Sequence, residues 1–257
     1  MKIFAAAAVI AALSATTALA QEEMNNQAFI NQLDSTGSAA VVSQNGAALY
    51  GIVDQAGAGH SADILQEGSG STVTVDQSTF NNTVDGRQSG SGSSNNSATI
   101  TQRGNENGEA EGNRASFVQA GDENKLNATQ EGSSNFAYSE QTGSYNDALT
   151  LQSGEGNRIY NYQPGDSNEI TVIQDGIGNF ASSVVEGYGN LYVANQTGND
   201  NTASNEQPGV GNMAGVGQTG DGNYAATLQY GSRDLATIVQ TGNANAASID
   251  QGGIGGL

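Results

Sequence analysis

The sequence predicts an all-β fold, a β-solenoid of about ten strand–turn–strand rungs with two facing parallel sheets. Three observations predict it. Nineteen of the 21 glutamines fall on one ladder whose usual step is 11 residues. Glycine stands two places after 18 of the 20 ladder positions, with Asp34 and Thr79 as the exceptions. Each seven-residue unit ends in Gln, usually starts with Asn, and alternates in character, which is the period of a strand.

The chain opens MKIFAAAAVIAALSATTALA. Lys2 is a short positive segment, Phe4 to Leu13 is apolar, and Ala18-Leu19-Ala20 is a small-residue cleavage site. Residues 1–20 therefore read as a secretory signal peptide. A transmembrane anchor is the poorer reading, because the apolar run is short and an acidic polar segment follows at once. Residues 21–25 form a short tail, 26–251 the repeat solenoid and 252–257 a Gly-rich tail. The exported chain is expected to insert in no membrane.

Without Lys2 the chain keeps 26 acidic residues against six basic ones, so nucleic acid and anionic membrane surfaces are excluded as partners. There is no cysteine to form disulfide staples. The 36 glycines, with many Asn, Gln, Ser and Thr, would by composition alone allow a disordered chain. A random polar tract would not keep the ladder's phase, so the mature chain is expected to be ordered.

Paired into rungs, the ladder makes two glutamine columns. One is Gln32, Gln55, Gln77, Gln102, Gln130, Gln152, Gln174, Gln196, Gln218 and Gln240. The other is Gln44, Gln66, Gln88, Gln119, Gln141, Gln163, Gln207, Gln229 and Gln251, with Val185 in one gap. Six places before each rung end stands Asn in most units, among them Asn124, Asn135, Asn146, Asn157, Asn168, Asn179 and Asn190. Ser38, Leu49, His60, Ser71 and Asp234 take that place elsewhere. Stacked amides bond along the column and satisfy one another, which an isolated buried amide could not do.

Seven residues suit a strand, and four with a fixed Gly suit a tight turn. In 146–152 the repeated face is Asn146, Ala148, Thr150 and Gln152, expected to point inward. A helix fails, because a Gly in every unit and β-branched alternation would destroy it. Pro164-Gly165 and Pro208-Gly209 carry a type II turn signature and place both prolines outside the strands. The register slips after Gln32, and longer connections at 89–95 and 103–112 are expected to bulge from the stack. The second holds Glu106, Glu109 and Glu111 and reads as a solvated acidic loop rather than a calcium site.

The pattern Gln-x-Gly-x-x-Asn-x-Ala-x-x-x-Gln resembles the repeat of the curlins, the amyloid subunits of bacterial curli fibres. Gln141, Gly143, Asn146, Ala148 and Gln152 match it at every named position, and the match recurs at Gln130–Gln141 and Gln240–Gln251. The resemblance implies passage through the periplasm and an outer-membrane export apparatus. It also implies nucleated assembly with other curlin-type subunits into cell-surface fibres, with roles in biofilm matrix and adhesion.

The first and last units are ordinary and uncapped, so end-to-end self-association through them is expected. The alternative is a monomeric secreted solenoid acting as an adhesin or ligand-binding surface. Of that class, an ice-binding face is disfavoured because Thr72, Thr74, Thr99 and Thr101 are too scattered. No catalytic or cofactor constellation is visible: the single His60 stands at a strand-start amide position and substitutes for Asn in the ladder. On one outer face Phe136, Tyr138, Tyr160, Tyr162 and Phe180, with Val184, should stack into a patch for lateral contact or adhesion.

Overall fold

The computed structural model describes residues 15–20, 25–90, 94–104 and 111–252. Among these described residues twenty-one strands alternate between two parallel sheets. The odd sheet holds β1 (Ala15–Ala20), β3 (Ala39–Ala47), β5 (Ser61–Ser69), β7 (Thr83–Ser89), β9 (Arg114–Asp122), β11 (Phe136–Ser144), β13 (Arg158–Asp166), β15 (Phe180–Tyr188), β17 (Thr202–Val210), β19 (Tyr224–Ser232) and β21 (Ala246–Gly252). The even sheet holds β2 (Gln27–Thr36), β4 (Tyr50–Ala58), β6 (Thr72–Phe80), β8 (Ser97–Arg103), β10 (Lys125–Ser133), β12 (Asp147–Glu155), β14 (Glu169–Ile177), β16 (Leu191–Asn199), β18 (Met213–Thr219) and β20 (Leu235–Thr241). Each strand pairs with the strand two places on, so every ladder joins neighbouring rungs. Twenty strands belong to the repeat, ten per sheet, and at about 4.8 Å per strand the stack is about 45 Å tall.

The strands are longer than the seven residues expected. Most run nine residues, because pairing continues through the turn: Gln130–Gln152, Gly132–Gly154 and Ser133–Glu155 are all in register. Identical turns stack as readily as identical strands. Gly143 shows why glycine is required there. Its φ is +109°, and a Cβ would lie 2.1 Å from the carbonyl oxygen of Gly165 in the next rung. Thr79 escapes this second constraint, since the β6–β8 ladder stops at Ser78–Arg103. The prolines correct the expectation too, because Pro164 and Pro208 lie within β13 and β17. The ladder toward the following rung skips them, as a missing N–H demands. The slip after Gln32 appears as a register shift between Leu33 and Thr36.

Inward residues form two apolar clusters, one from Ala40 to Ala148 and one from Ile159 to Ile238. In the first, the ring of Phe117 fills the space beside Gly86, where a Cβ would meet its Cε1 at 2.2 Å. Beside the second runs a buried polar column that the sequence pattern did not announce: Ser139, Asn161, Ser183, Asn205 and Thr227. Within it Ser183 Oγ donates to Asn161 Oδ1 (2.9 Å) and Thr227 Oγ1 to Asn205 Oδ1 (2.7 Å). At the N-terminal end β1 lies along β3, Ala15–Ala20 against Ala39–Gln44.

Candidate functional site: ladders, open ends and outer faces

The even-sheet glutamine column is unbroken. Each Nε2 from Gln32 to Gln218 donates to Oε1 of the Gln in the following rung, at 2.7–3.0 Å. In the odd-sheet column the Nε2 groups from Gln44 to Gln141 and of Gln207 and Gln229 do the same. The same Nε2 groups cross the core to a backbone carbonyl of the facing sheet, as Gln152 does to Phe136 (3.1 Å). Every glutamine of the two columns is buried except Gln32 and Gln251, at the two ends.

The asparagines run the other way. Asn146 donates its backbone N–H and its Nδ2 to Asn124 Oδ1, one rung back, both at 3.1 Å. Its Nδ2 also donates to the turn carbonyl of Gly165 at 2.7 Å, while its Oδ1 accepts the N–H of Asn168. Asn124, Asn135, Asn157, Asn168, Asn179 and Asn190 repeat the Oδ1 pattern, and each Nδ2 reaches a turn glycine carbonyl. These bonds satisfy buried backbone groups at each strand start, so the asparagines hold the turns as well as each other.

His60 occupies the asparagine place as expected. Its Nδ1 accepts the N–H of Asn82 (3.3 Å) and its Nε2 meets the carbonyl of Ala56, four residues back (3.1 Å). This pairing selects the neutral ring protonated on Nε2, which reproduces the acceptor and donor of an Asn side chain. Burial pushes its basicity below the ordinary histidine value, against an opposing pull from the Ala56 and Thr79 carbonyls.

The gap at Val185 is repaired locally. Gln163 Nε2, lacking a forward acceptor, donates to the Asn168 carbonyl (3.0 Å). Gln207 Oε1, lacking a donor from behind, accepts Asn205 Nδ2 (3.1 Å). Val185 itself is buried in the apolar cluster that holds Ile170 and Tyr192.

At the two ends the columns stop with unlike groups outward. Gln44 Oε1 is buried without a hydrogen-bond partner, since β1 sets Ala20 at the place a glutamine would take. At the opposite end Asp234 Oδ2 is likewise buried and unpartnered. Among the described residues Gln251 Nε2 there donates to the Leu235 carbonyl (3.0 Å) and has no further glutamine of the column to reach.

The aromatic residues named from the sequence do meet on the odd sheet's outer face. Tyr160 lies between Phe136 and Phe180, with ring centroids 5.3 and 5.9 Å apart. Tyr138 pairs with Tyr160, and Tyr162 with Val184, in adjacent rungs. Tyr138 donates to Glu140 Oε2 at 2.6 Å, and burial together with Glu140 holds its hydroxyl proton up to a pKa of about 12. The acidic loop lies mostly outside the described residues; of its glutamates only Glu111 falls within them.

Three stretches of the chain, residues 94–132, 121–149 and 220–253, match the curlin associated repeat family. No curated protein matches the chain. All three stretches lie in the solenoid, whose other units carry the same columns in the same register.

Proposed function

We propose that this chain, three stretches of which match the curlin associated repeat, is a secreted subunit of curli-type fibres on the bacterial surface, built by head-to-tail stacking of solenoids, with roles in biofilm matrix, adhesion and cell aggregation. Complementary ends carry this reading. Extending the two registers by one rung sets β20 of one copy against β2 of the next, and β21 against β3. Gln251 Nε2 then meets the unpartnered Oε1 of Gln44, and the N–H and Nδ2 of Asn26 meet the unpartnered Oδ2 of Asp234. The Asp234 oxygen, buried without a partner in the single chain, is satisfied in the joint, and the Gln44 oxygen, uncovered once β1 is gone, gains an amide donor in place of water. Strand β1 lies on the edge that β21 would take, so removal of residues 1–20 as a signal peptide frees it.

The test uses the mature chain from Gln21, followed by electron microscopy, thioflavin fluorescence and seeding. Fibres with strands across the axis are expected. The N–H groups of the second, fourth and sixth unit residues point to the following rung, as Met213 N–H does to the Asp234 carbonyl (2.8 Å). In the last rung they point out of the molecule, so Thr237→Pro with Ser248→Pro removes two joint donors and no internal bond. That variant is expected to stay monomeric with unchanged β-sheet circular dichroism, and to cap growing fibres of the unaltered chain. A mature chain that stays monomeric for days, or a proline variant that elongates normally, refutes the proposal. The first result favours the monomeric adhesin.

A further inference from the structure

The sheets carry different outer faces at the same height. On the odd sheet, Arg114, Phe136, Arg158 and Phe180 form one outward column. Arg114 lies over the Phe136 ring (5.9 Å), and neither arginine makes an ion pair among the described residues. On the even sheet, Leu149, Leu151, Ile173 and Val193 face outward on β12, β14 and β16. Beside them a shallow depression of about 330 Å³ is lined by Thr129, Leu151 and Ile173, with Glu131 and Asp175 among its walls. Asp147 and Glu169 stand in adjacent rungs of the same face.

The facing strands run in opposite directions, and this fixes what lies behind what. Gln174 Nε2 reaches across the core to the Arg158 carbonyl (3.1 Å), and Gln163 Nε2 to the Asp147 carbonyl (2.9 Å). Arg158 thus stands back to back with the Ile173–Asp175 segment, and Tyr162 with Asp147. A second solenoid moved sideways along the sheet normal, with no turn and no slide, brings Arg158 to the acidic-walled depression. The same move brings Tyr162 to Asp147, and Tyr160 to the Leu149–Val193 surface.

We propose that the odd-sheet face of one copy packs on the even-sheet face of a second copy in a parallel neighbouring fibre. The inference rests on the fibre reading above. Unlike faces pair because face-to-like-face contact would oppose Arg158 to arginine, or Asp147 and Glu169 to carboxylates, in a chain already strongly acidic. Three outward columns over four rungs cover roughly 400 Å² a side, about 800 Å² in total, below the ~1,200 Å² of a stable complex. Isolated chains therefore do not pair through these faces, whereas fibres repeat the contact once per subunit and hold by multivalency.

The experiment compares fibres of the mature chain with Arg158→Glu, Asp175→Arg and the two combined. Elongation is followed by thioflavin fluorescence, and bundling by electron microscopy and low-speed sedimentation. Each single change is expected to give single fibres at normal elongation rates, and the combination to restore bundles. Bundles unaffected by either change overturn the proposal, as does dispersal by Arg158→Glu alone with no rescue, which points to self-pairing of the odd face. Absence of fibres from the unaltered chain overturns the fibre reading and this one with it. Normal fibres with unchanged bundling overturn this one only.

Discussion

Replacing Gln152 by Val tests whether a glutamine column stabilises through its bonds or merely tolerates them. The change removes the bond from Gln130 (2.8 Å), the bond to Gln174 (3.0 Å) and the bond to the Phe136 carbonyl (3.1 Å). At about 1 kcal/mol net per bond, the cost is about 3 kcal/mol, and orphaned buried groups raise rather than lower it. The natural gap at Val185 avoids that cost because Asn205, two residues before Gln207, supplies the missing donor. The corresponding residue before Gln174 is Val172, which supplies none. Val172→Asn should therefore rescue Gln152→Val: the double variant is expected to lose less than the summed singles by about 1 kcal/mol or more. The background is the non-elongating Thr237→Pro, Ser248→Pro chain. Hydrogen exchange of β10, β12 and β14 is the readout, since a solenoid opens locally and a single unfolding midpoint averages over rungs. A cost below ~0.5 kcal/mol, or singles that simply add, would refute the account of how the columns work.

Gly143→Ala should cost several kcal/mol, whereas Gly156→Ala, at φ +66° with nothing within 4 Å of its Cβ, should cost about 1 kcal/mol; urea unfolding compares them. Equal losses would show that stacking does not constrain the turn. His60 is held neutral, so its folded pKa lies below the unfolded value and the unfolded chain binds the extra proton. Stability is then intact above about pH 6.5 and falls as pH drops toward the lower folded value, by at most ~1.4 kcal/mol per unit. His60→Asn should flatten that part of the pH profile, and an unchanged slope would remove His60 as its cause. Tyr192→Phe should raise thermal stability by about 1 kcal/mol, because the hydroxyl is buried without a partner; a loss would mean that it has one. A chain that retains residues 1–20 should elongate more slowly than one starting at Gln21, and equal rates would show that β1 does not cover the joint.

The glutamine columns, the turn glycines and the inward Asn-Ala-x-Gln face were legible because every rung repeats them and each must fit its own copy above and below. What varies between rungs was harder to read. Ser139, Asn161, Ser183, Asn205 and Thr227 each pass for an ordinary strand residue, and only their shared register makes them a column. Phe117 and Gly86 fit because they are adjacent rungs of one column, although 31 residues separate them in the chain. The nine-residue strands were missed because turn residues look like loop until their copies stack on them. Leu149, Leu151, Ile173 and Val193 fall outside by alternation, yet they make one surface only when β12, β14 and β16 stand side by side.

The opposed directions of the two kinds of ladder bear on growth. Glutamine amide oxygens accept from the preceding rung, and asparagine amide oxygens accept from the following one. Their dipoles partly cancel, so a tall stack does not accumulate the end charge that aligned amides would produce. Each end nevertheless remains specific. The N-terminal end presents a glutamine acceptor and strand-start donors, and the C-terminal end a glutamine donor and the Asp234 acceptor. Two like ends brought together would make their strands meet antiparallel, and the parallel register that aligns Gln251 with Gln44 and Asp234 with Asn26 would be lost. Only unlike ends close the columns. A fibre joined in this way would be polar, and seeds blocked at the C-terminal rung should therefore differ in growth from seeds blocked at β3.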